Sequence, residues 1–393
     1  MAITFQQRHV SPRVPALMRA VAVALVIGAL GGCSLFSGNK PRYVPAPLTT
    51  FTPNLTVNPV WSVSAGNKSG VGFVPVAVGN SVYAATENGT VGKYDLTTGA
   101  TQWRGSAKKT LSAGVGTDGK ITAVATPRGE VIAFDDNGQI KWTAQATSEV
   151  TVPPLVADGL VVVRSGDYRV QAFDAETGRR RWSVQRPGPA LALRAPGEML
   201  MSNGFVFSGL PGGKVIAIST ANGAMRWEGT VSNPTGTSEL ERVSDVVGAP
   251  VISGRLLCAV TYQGRISCFD VSSGNATWSR EFSSVNGMSA DVRFAYSAND
   301  KSVVYGFALD GGANVWKQDA LQHRGLTAPV SLGRAIALGD YQGYVHFLGR
   351  EDGRLLARTA TDGSAIVSRP LATTRGLIVQ TSKGNLALLG VGE

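Results

Sequence analysis

Three histidines, three cysteines and an aspartate that returns at regular intervals are the side chains of this sequence with the most chemistry to offer. His9 lies near the start, and His323 and His346 fall in different repeat units with no cysteine or carboxylate at metal-ligand spacing. No Gly-x-Ser-x-Gly elbow, Gly-x4-Gly-Lys-Ser/Thr phosphate loop or Glu-x-x-His helix is present. The expectation is therefore no catalytic residue, no metal and no cofactor site, which argues against a hydrolase or nucleotide enzyme. The recurring aspartate belongs to the phrase Gly-x5-Asp-x3-Gly-x3-Trp, complete at Gly89, Asp95, Gly99, Trp103 and at Gly264, Asp270, Gly274, Trp278. In such a turn Asp95, Asp135, Asp174 and Asp270 accept backbone N–H bonds, a structural task rather than acid–base work.

Cys33 calls for different chemistry. An apolar run at residues 20–30 follows the basic Arg8, Arg13 and Arg19; it is too short to span a bilayer but fits the core of a signal peptide. Leu30-Gly31-Gly32-Cys33 resembles a bacterial lipobox, which makes residues 1–32 a lipoprotein signal peptide and Cys33 the acylated first residue of the mature chain. Ser34 after it resembles the signal that sends lipoproteins to the outer membrane. Residues 33–58, rich in Pro, Thr and Ser without an apolar period, read as a flexible lipidated tether. The exported compartment permits disulfides, and Cys258 and Cys268 fall on consecutive strands about Tyr262-Gln263. A regular hairpin there pairs position 258 with 267 and puts the thiols on opposite faces. A bridge needs a bulge or a shifted register; without one, both are buried free thiols.

The elements that position these residues follow from the repeat. All seven tryptophans recur at intervals of 38 to 51 residues, most of them closing the same phrase. A period near 40 built from a Gly turn, an alternating apolar strand, an Asp/Thr/Gly turn and an aromatic anchor is the signature of a β-propeller. The first Gly position falls at Gly89, Gly129, Tyr168, Gly213, Gly264, Ser302, Gly343 and Gly384, which makes eight units. Pro75, Pro154, Pro250 and Pro329 precede it by a constant interval and open short apolar strands. The eighth unit stops before its Trp position, while residues 59–63, containing Trp61, form a strand with no unit before it. The predicted fold is all-β: an eight-bladed propeller of four-stranded antiparallel blades over residues 59–393, its ring closed by the N-terminal strand. Helix should be sparse. The net charge of +10 is spread along the chain without a basic run, which argues against nucleic acid as a partner.

Function should sit where the repeat is broken. The next first-Gly position lies 31 positions beyond Trp182 and 37 beyond Trp227, against 24 to 28 elsewhere. These two overlong connections are topologically equivalent in consecutive blades, so they lie side by side on one face. One carries Leu191, Leu193 and Arg194; the other runs Thr235-Gly236-Thr237-Ser238-Glu239-Leu240-Glu241-Arg242-Val243-Ser244-Asp245. Leucines flanked by an arginine and an acid have the composition of a protein–protein hot spot. The structural alternative is leucines tucked under the rim beside local ion pairs.

Two resemblances bear on this. Ala172-Phe173-Asp174-Ala175-Glu176-Thr177-Gly178-Arg179-Arg180-Arg181-Trp182 resembles the repeat of pyrroloquinoline-quinone dehydrogenases, calcium-dependent periplasmic propellers. That makes a quinone-dependent alcohol dehydrogenase the enzyme alternative, although the vicinal cysteines of those enzymes are missing and a blade phrase specifies a blade, not a cofactor. A glycan-binding lipoprotein is the third reading. The overlong connections, with Cys33-Ser34-Leu35-Phe36 and Leu321-Gln322-His323-Arg324-Gly325-Leu326-Thr327, resemble the BamB family, propeller lipoproteins of the outer-membrane β-barrel assembly (BAM) machinery. The resemblance covers essentially the whole mature chain. It implies a non-enzymatic scaffold, lipid-anchored at the periplasmic face of the outer membrane, that contacts BamA, and through it the rest of the complex, and helps nascent barrel proteins insert. Leu191, Leu193, Arg194 and Asp245 are the BamA-contacting positions it implies; the family's second acid is Val247 here.

Overall fold

Short runs rich in Val, Ile and Ala, separated by Gly turns, leave each strand with two apolar faces to cover. In the computed structural model, which describes residues 43–193 and 197–392, they form eight sheets of four antiparallel strands. No helix occurs among the described residues. Blade 1 spans residues 76–106, blade 2 113–145, blade 3 155–185, blade 4 199–230, blade 5 246–281, blade 6 288–318 and blade 7 330–360. Blade 8 takes three strands from residues 371–392 and its fourth, Thr56–Ser64, from the other end of the chain. Trp61 stands opposite Leu388 and Val63 opposite Leu386 in that closing ladder, which removes the open seam.

Within a blade the second and third strands are buried on both sides and the fourth alternates. Leu160–Arg164 is buried except at its last residue, whereas in Arg180–Gln185 only Trp182 is fully covered. Neighbouring sheets pack face to face: Val131 and Ala133 of blade 2 share one apolar cluster with Val161, Val163 and Phe173 of blade 3.

The repeated phrase is what joins one blade to the next. Trp61 Nε1 donates to Leu96 O of the following blade at 3.0 Å, and Trp142, Trp182, Trp227, Trp278 and Trp316 make the equivalent bond to Ala175, Thr220, Val271, Leu309 and Arg350. Gly99, at φ 72°, shows why the phrase needs glycine: a Cβ there would lie 2.7 Å from the Trp61 ring. The aspartate holds the turn together, Asp95 Oδ1 accepting from the amides of Thr97 at 2.9 Å and Thr98 at 2.8 Å. Trp103 is the exception. Blade 2 carries a turn one residue shorter, at Asp135–Gly138, and the Trp103 indole N–H is buried without an acceptor.

Antiparallel order sorts the connections. Turns joining first to second and third to fourth strands occupy one face, here called the turn face. Second-to-third turns and blade-to-blade connections occupy the other, the connection face.

Two expectations are corrected. The stretch read as tether up to residue 58 joins the ring earlier: the closing strand begins at Thr56, Leu55 is buried in the cluster between blades 7 and 8, and Asn54 N and Ala46 N donate to Leu356 O and Gln322 O, both at 2.8 Å. The register about the cysteines also differs. Tyr262, Gln263 and Gly264 form a three-residue loop, so Cys258 pairs with Cys268 rather than with Ser267. The two side chains therefore share a face, and the structure joins them as a disulfide with Cα atoms 4.0 Å apart. The signal peptide and Cys33 lie outside the described residues.

Candidate functional site

The overlong connections, residues 186–198 and 231–245, emerge side by side on the connection face and meet at Asp245. Each is shaped locally first. Pro187 and Pro189 keep the first extended, and Tyr168 Oη donates to Pro189 O at 3.4 Å. The second closes on itself through a reciprocal cap: Ser238 N and Thr237 N donate to the Glu241 carboxylate at 3.0 and 2.8 Å, and Glu241 N donates back to Ser238 Oγ at 3.3 Å. Those amides hold the Glu241 carboxyl down at about 2. Arg242 pairs with Glu239 at 3.6 Å and donates to Gly236 O and Thr237 O, which leaves Leu240 at the tip 71% exposed.

The four positions expected to form a contact surface separate into two kinds. Leu191 is exposed at 40% and lines a cleft of about 720 Å³. Leu193 is half-buried and packs against the apolar cluster containing Val247. Asp245 is only 4% exposed, so its carboxylate is no surface charge: it accepts from Leu193 N at 2.5 Å and from Gly212 N at 3.1 Å. Arg194 lies outside the described residues. Val247, at the position where a second acid was expected, is 1% exposed and is part of the apolar floor under Leu193.

Beneath this arrangement lies Arg164, which no motif or spacing singles out. Its guanidinium donates to Gly209 O and lines the same cleft as Asp245, Leu191, Leu193, Glu149 and Tyr168. Burial lowers its pKa to about 10, against the charge of Asp245. Burial pushes the Asp245 carboxyl above the usual range, opposed by the two amides and by Arg164. Gly197 allows this packing, since a Cβ there would sit 2.9 Å from an Arg164 nitrogen. The loop's far end is tied across the ring by Glu198 and Arg369, 3.2 Å apart. The outcome is a rigid base, Arg164 and Asp245, carrying an apolar edge, Leu191 and Leu193, above an open cleft. Nothing in that set is arranged as nucleophile and base. Among the described residues no group of three or more His, Cys, Asp or Glu is placed to hold a metal. His346 is buried against Asp340 at 2.8 Å.

Comparison with known proteins identifies the family. The family model described as outer membrane protein assembly factor BamB matches residues 87–318 and 300–390. The outer membrane protein assembly factor BamB of Bordetella pertussis is 58% identical over 372 residues, covering 94% of this chain and 96% of the relative. The crystal structure of BamB from Moraxella catarrhalis superposes with a TM-score of 0.79 at 24% identity, over 85% of this chain and all of that one. Quinohemoprotein alcohol dehydrogenase from Comamonas testosteroni superposes at 0.65 with 13% identity, over 85% of this chain and 76% of that one, a likeness of fold alone. Propeller, closure and full-length identity converge, and the chain belongs to the BamB family of outer membrane protein assembly factors.

Proposed function

We propose that this chain is a non-enzymatic scaffold of the BAM complex, anchored by acylated Cys33 in the periplasmic leaflet of the outer membrane, and that residues 186–198 and 231–245 bind the periplasmic region of BamA so that barrel proteins reach the insertion machinery. The observation that carries this reading is the Asp245 carboxylate receiving Leu193 N and Gly212 N. It spends a buried charge on fixing the shape of a loop that the blade repeat does not need, and it leaves Leu191 exposed over a cleft. A pre-shaped apolar edge loses little entropy on binding, which is what a docking site requires. In this reading Leu191 and Arg194 touch BamA, Leu193 does so while gripping the apolar floor, and Asp245 fixes the loop at Leu193. A titration of the mature chain against the BamA periplasmic region tests it: alanine at Leu191 or Arg194 should weaken binding by ~2 kcal/mol, roughly thirtyfold, with the melting curve unchanged. Undiminished affinity in the folded double variant would move the site elsewhere. The anchor has its own test, since an unmodified Cys33 in the intact mass of membrane-purified protein would refute it.

A further inference from the structure

Arg324 is the largest fully buried side chain among the described residues, 2% exposed, and every edge of its guanidinium is occupied. Nε and Nη2 reach Asp340 Oδ2 at 2.8 and 2.7 Å, and Nη2 also donates to Gln342 Oε1 at 2.6 Å. His346 Nε2 meets the same Asp340 oxygen at 2.8 Å, and the other Asp340 oxygen accepts from the amides of Gln342 and Tyr344. These partners belong to blade 7 and account for two sides of the fork. The third side serves another part of the chain: Nη1 donates to Ala46 O at 3.0 Å.

Ala46 belongs to a series of attachments. Its amide donates to Gln322 O at 2.8 Å; Arg358 donates to Thr49 O at 3.2 Å and lies 5.5 Å from the Phe51 ring centroid; Arg334 donates to Asn54 O; and Asn54 N donates to Leu356 O. Gln322 and Arg324 stand in the blade 6 to blade 7 connection, on the connection face, and Arg334 in a turn on the opposite face. Residues 46–55 therefore descend the outer rim of blade 7 before the closing strand climbs back along blade 8. Pro47 and Pro53 lack an N–H, so the segment lies along Leu355–Ala360 without becoming a regular fifth strand that could itself template further pairing.

We propose that Arg324 is a latch: held by Asp340 and Gln342, it docks residues 46–55 on blade 7 and thereby fixes where the tether leaves the ring, at the blade 6–blade 7 junction of the face that carries Leu191, Leu193 and Asp245. The docking stands on its own contacts; its meaning for the membrane rests on the proposed acylation of Cys33. With the latch closed, roughly a dozen residues separate Cys33 from the ring, a reach of at most ~40 Å at ~3.3 Å per residue, about half of what a tether free up to the closing strand would allow. The latch thereby shortens the span available between the docking face and an acylated Cys33.

Limited chymotrypsin digestion of the full mature chain, followed at Leu48 and Phe51, tests the latch. Docked, these sites open only through local release, so Arg324→Ala should speed cleavage there at least about tenfold while the ring still melts as one unit. Should Arg324→Ala fail to fold, Arg358→Ala and Ala46→Pro weaken the same segment from the rim and from the segment itself, and each should raise cleavage severalfold. Cleavage in the wild type as fast as in a peptide of residues 43–55, or rates unmoved in all folded variants, would overturn the proposal. The intact mass of the same preparation reports Cys33 acylation separately, so failure of the anchor and failure of the latch are distinguishable.

Discussion

Asp245 and Leu193 show how one pair of residues divides a task. Removing the Asp245 carboxylate leaves two amides without an acceptor and Arg164 without its counter-charge, so Asp245→Ala should loosen both connections and cost about 1–3 kcal/mol of stability as well as affinity. Leu191→Ala, on an exposed side chain, should change affinity alone. Comparing melting temperatures with titrations for the two variants separates positioning from contact. The carboxylate also has a pH signature. Because its folded pKa is raised, the fold binds its proton more readily than the unfolded chain does, and stability from this site increases as pH falls through the folded pKa and levels off below the unfolded value. The stability difference between wild type and Asp245→Asn should therefore move in favour of the wild type on acidification from pH 7; a difference that stays constant with pH would show that the carboxyl is not perturbed. The sequence placed Asp245 in the right loop but not its burial, since Arg164 and Leu193, which define its surroundings, are remote in sequence and carry no shared motif.

At the level of strands, ring closure and the cysteine hairpin each make a definite demand. Removing residues 57–64 would strip blade 8 of its outer strand and break the Trp61 bond to Leu96 O, so the protein should melt far below the parent or aggregate; an unchanged thermal transition would contradict the closure. With Cys258 directly opposite Cys268, neither thiol should take up an alkylating reagent in denaturant before reduction, and Cys258→Ser with Cys268→Ser should lower stability by about 2–4 kcal/mol. The blades were legible because each repeated residue meets a repeated need: aspartate closes a turn, glycine clears room, and tryptophan reaches the next carbonyl. The cysteine register was not legible, because a third loop residue, Gly264, shifts the ladder by one position and periodicity does not report loop length. Residues 46–55 were hidden for another reason. A Pro-rich segment bound through its carbonyls by distant arginines has no periodic signal of its own.

Residues 46–392 form a ring whose regularity supplies rigidity, and its connection face carries two overlong connections, the cleft beside the first of them, and the entry of residues 46–55. The scaffold reading makes this face the working surface and leaves the blades as a frame. Its most direct test is a calorimetric titration of the mature chain against the periplasmic region of BamA, run in parallel with Leu191→Ala/Arg194→Ala and with a control pair on the turn face, Arg255→Ala/Arg375→Ala, every variant first shown to melt like the parent. The account predicts that the connection-face pair loses at least about thirtyfold in affinity while the turn-face pair stays within about threefold. Equal affinities for the two pairs, or a loss confined to the turn-face pair, would contradict it.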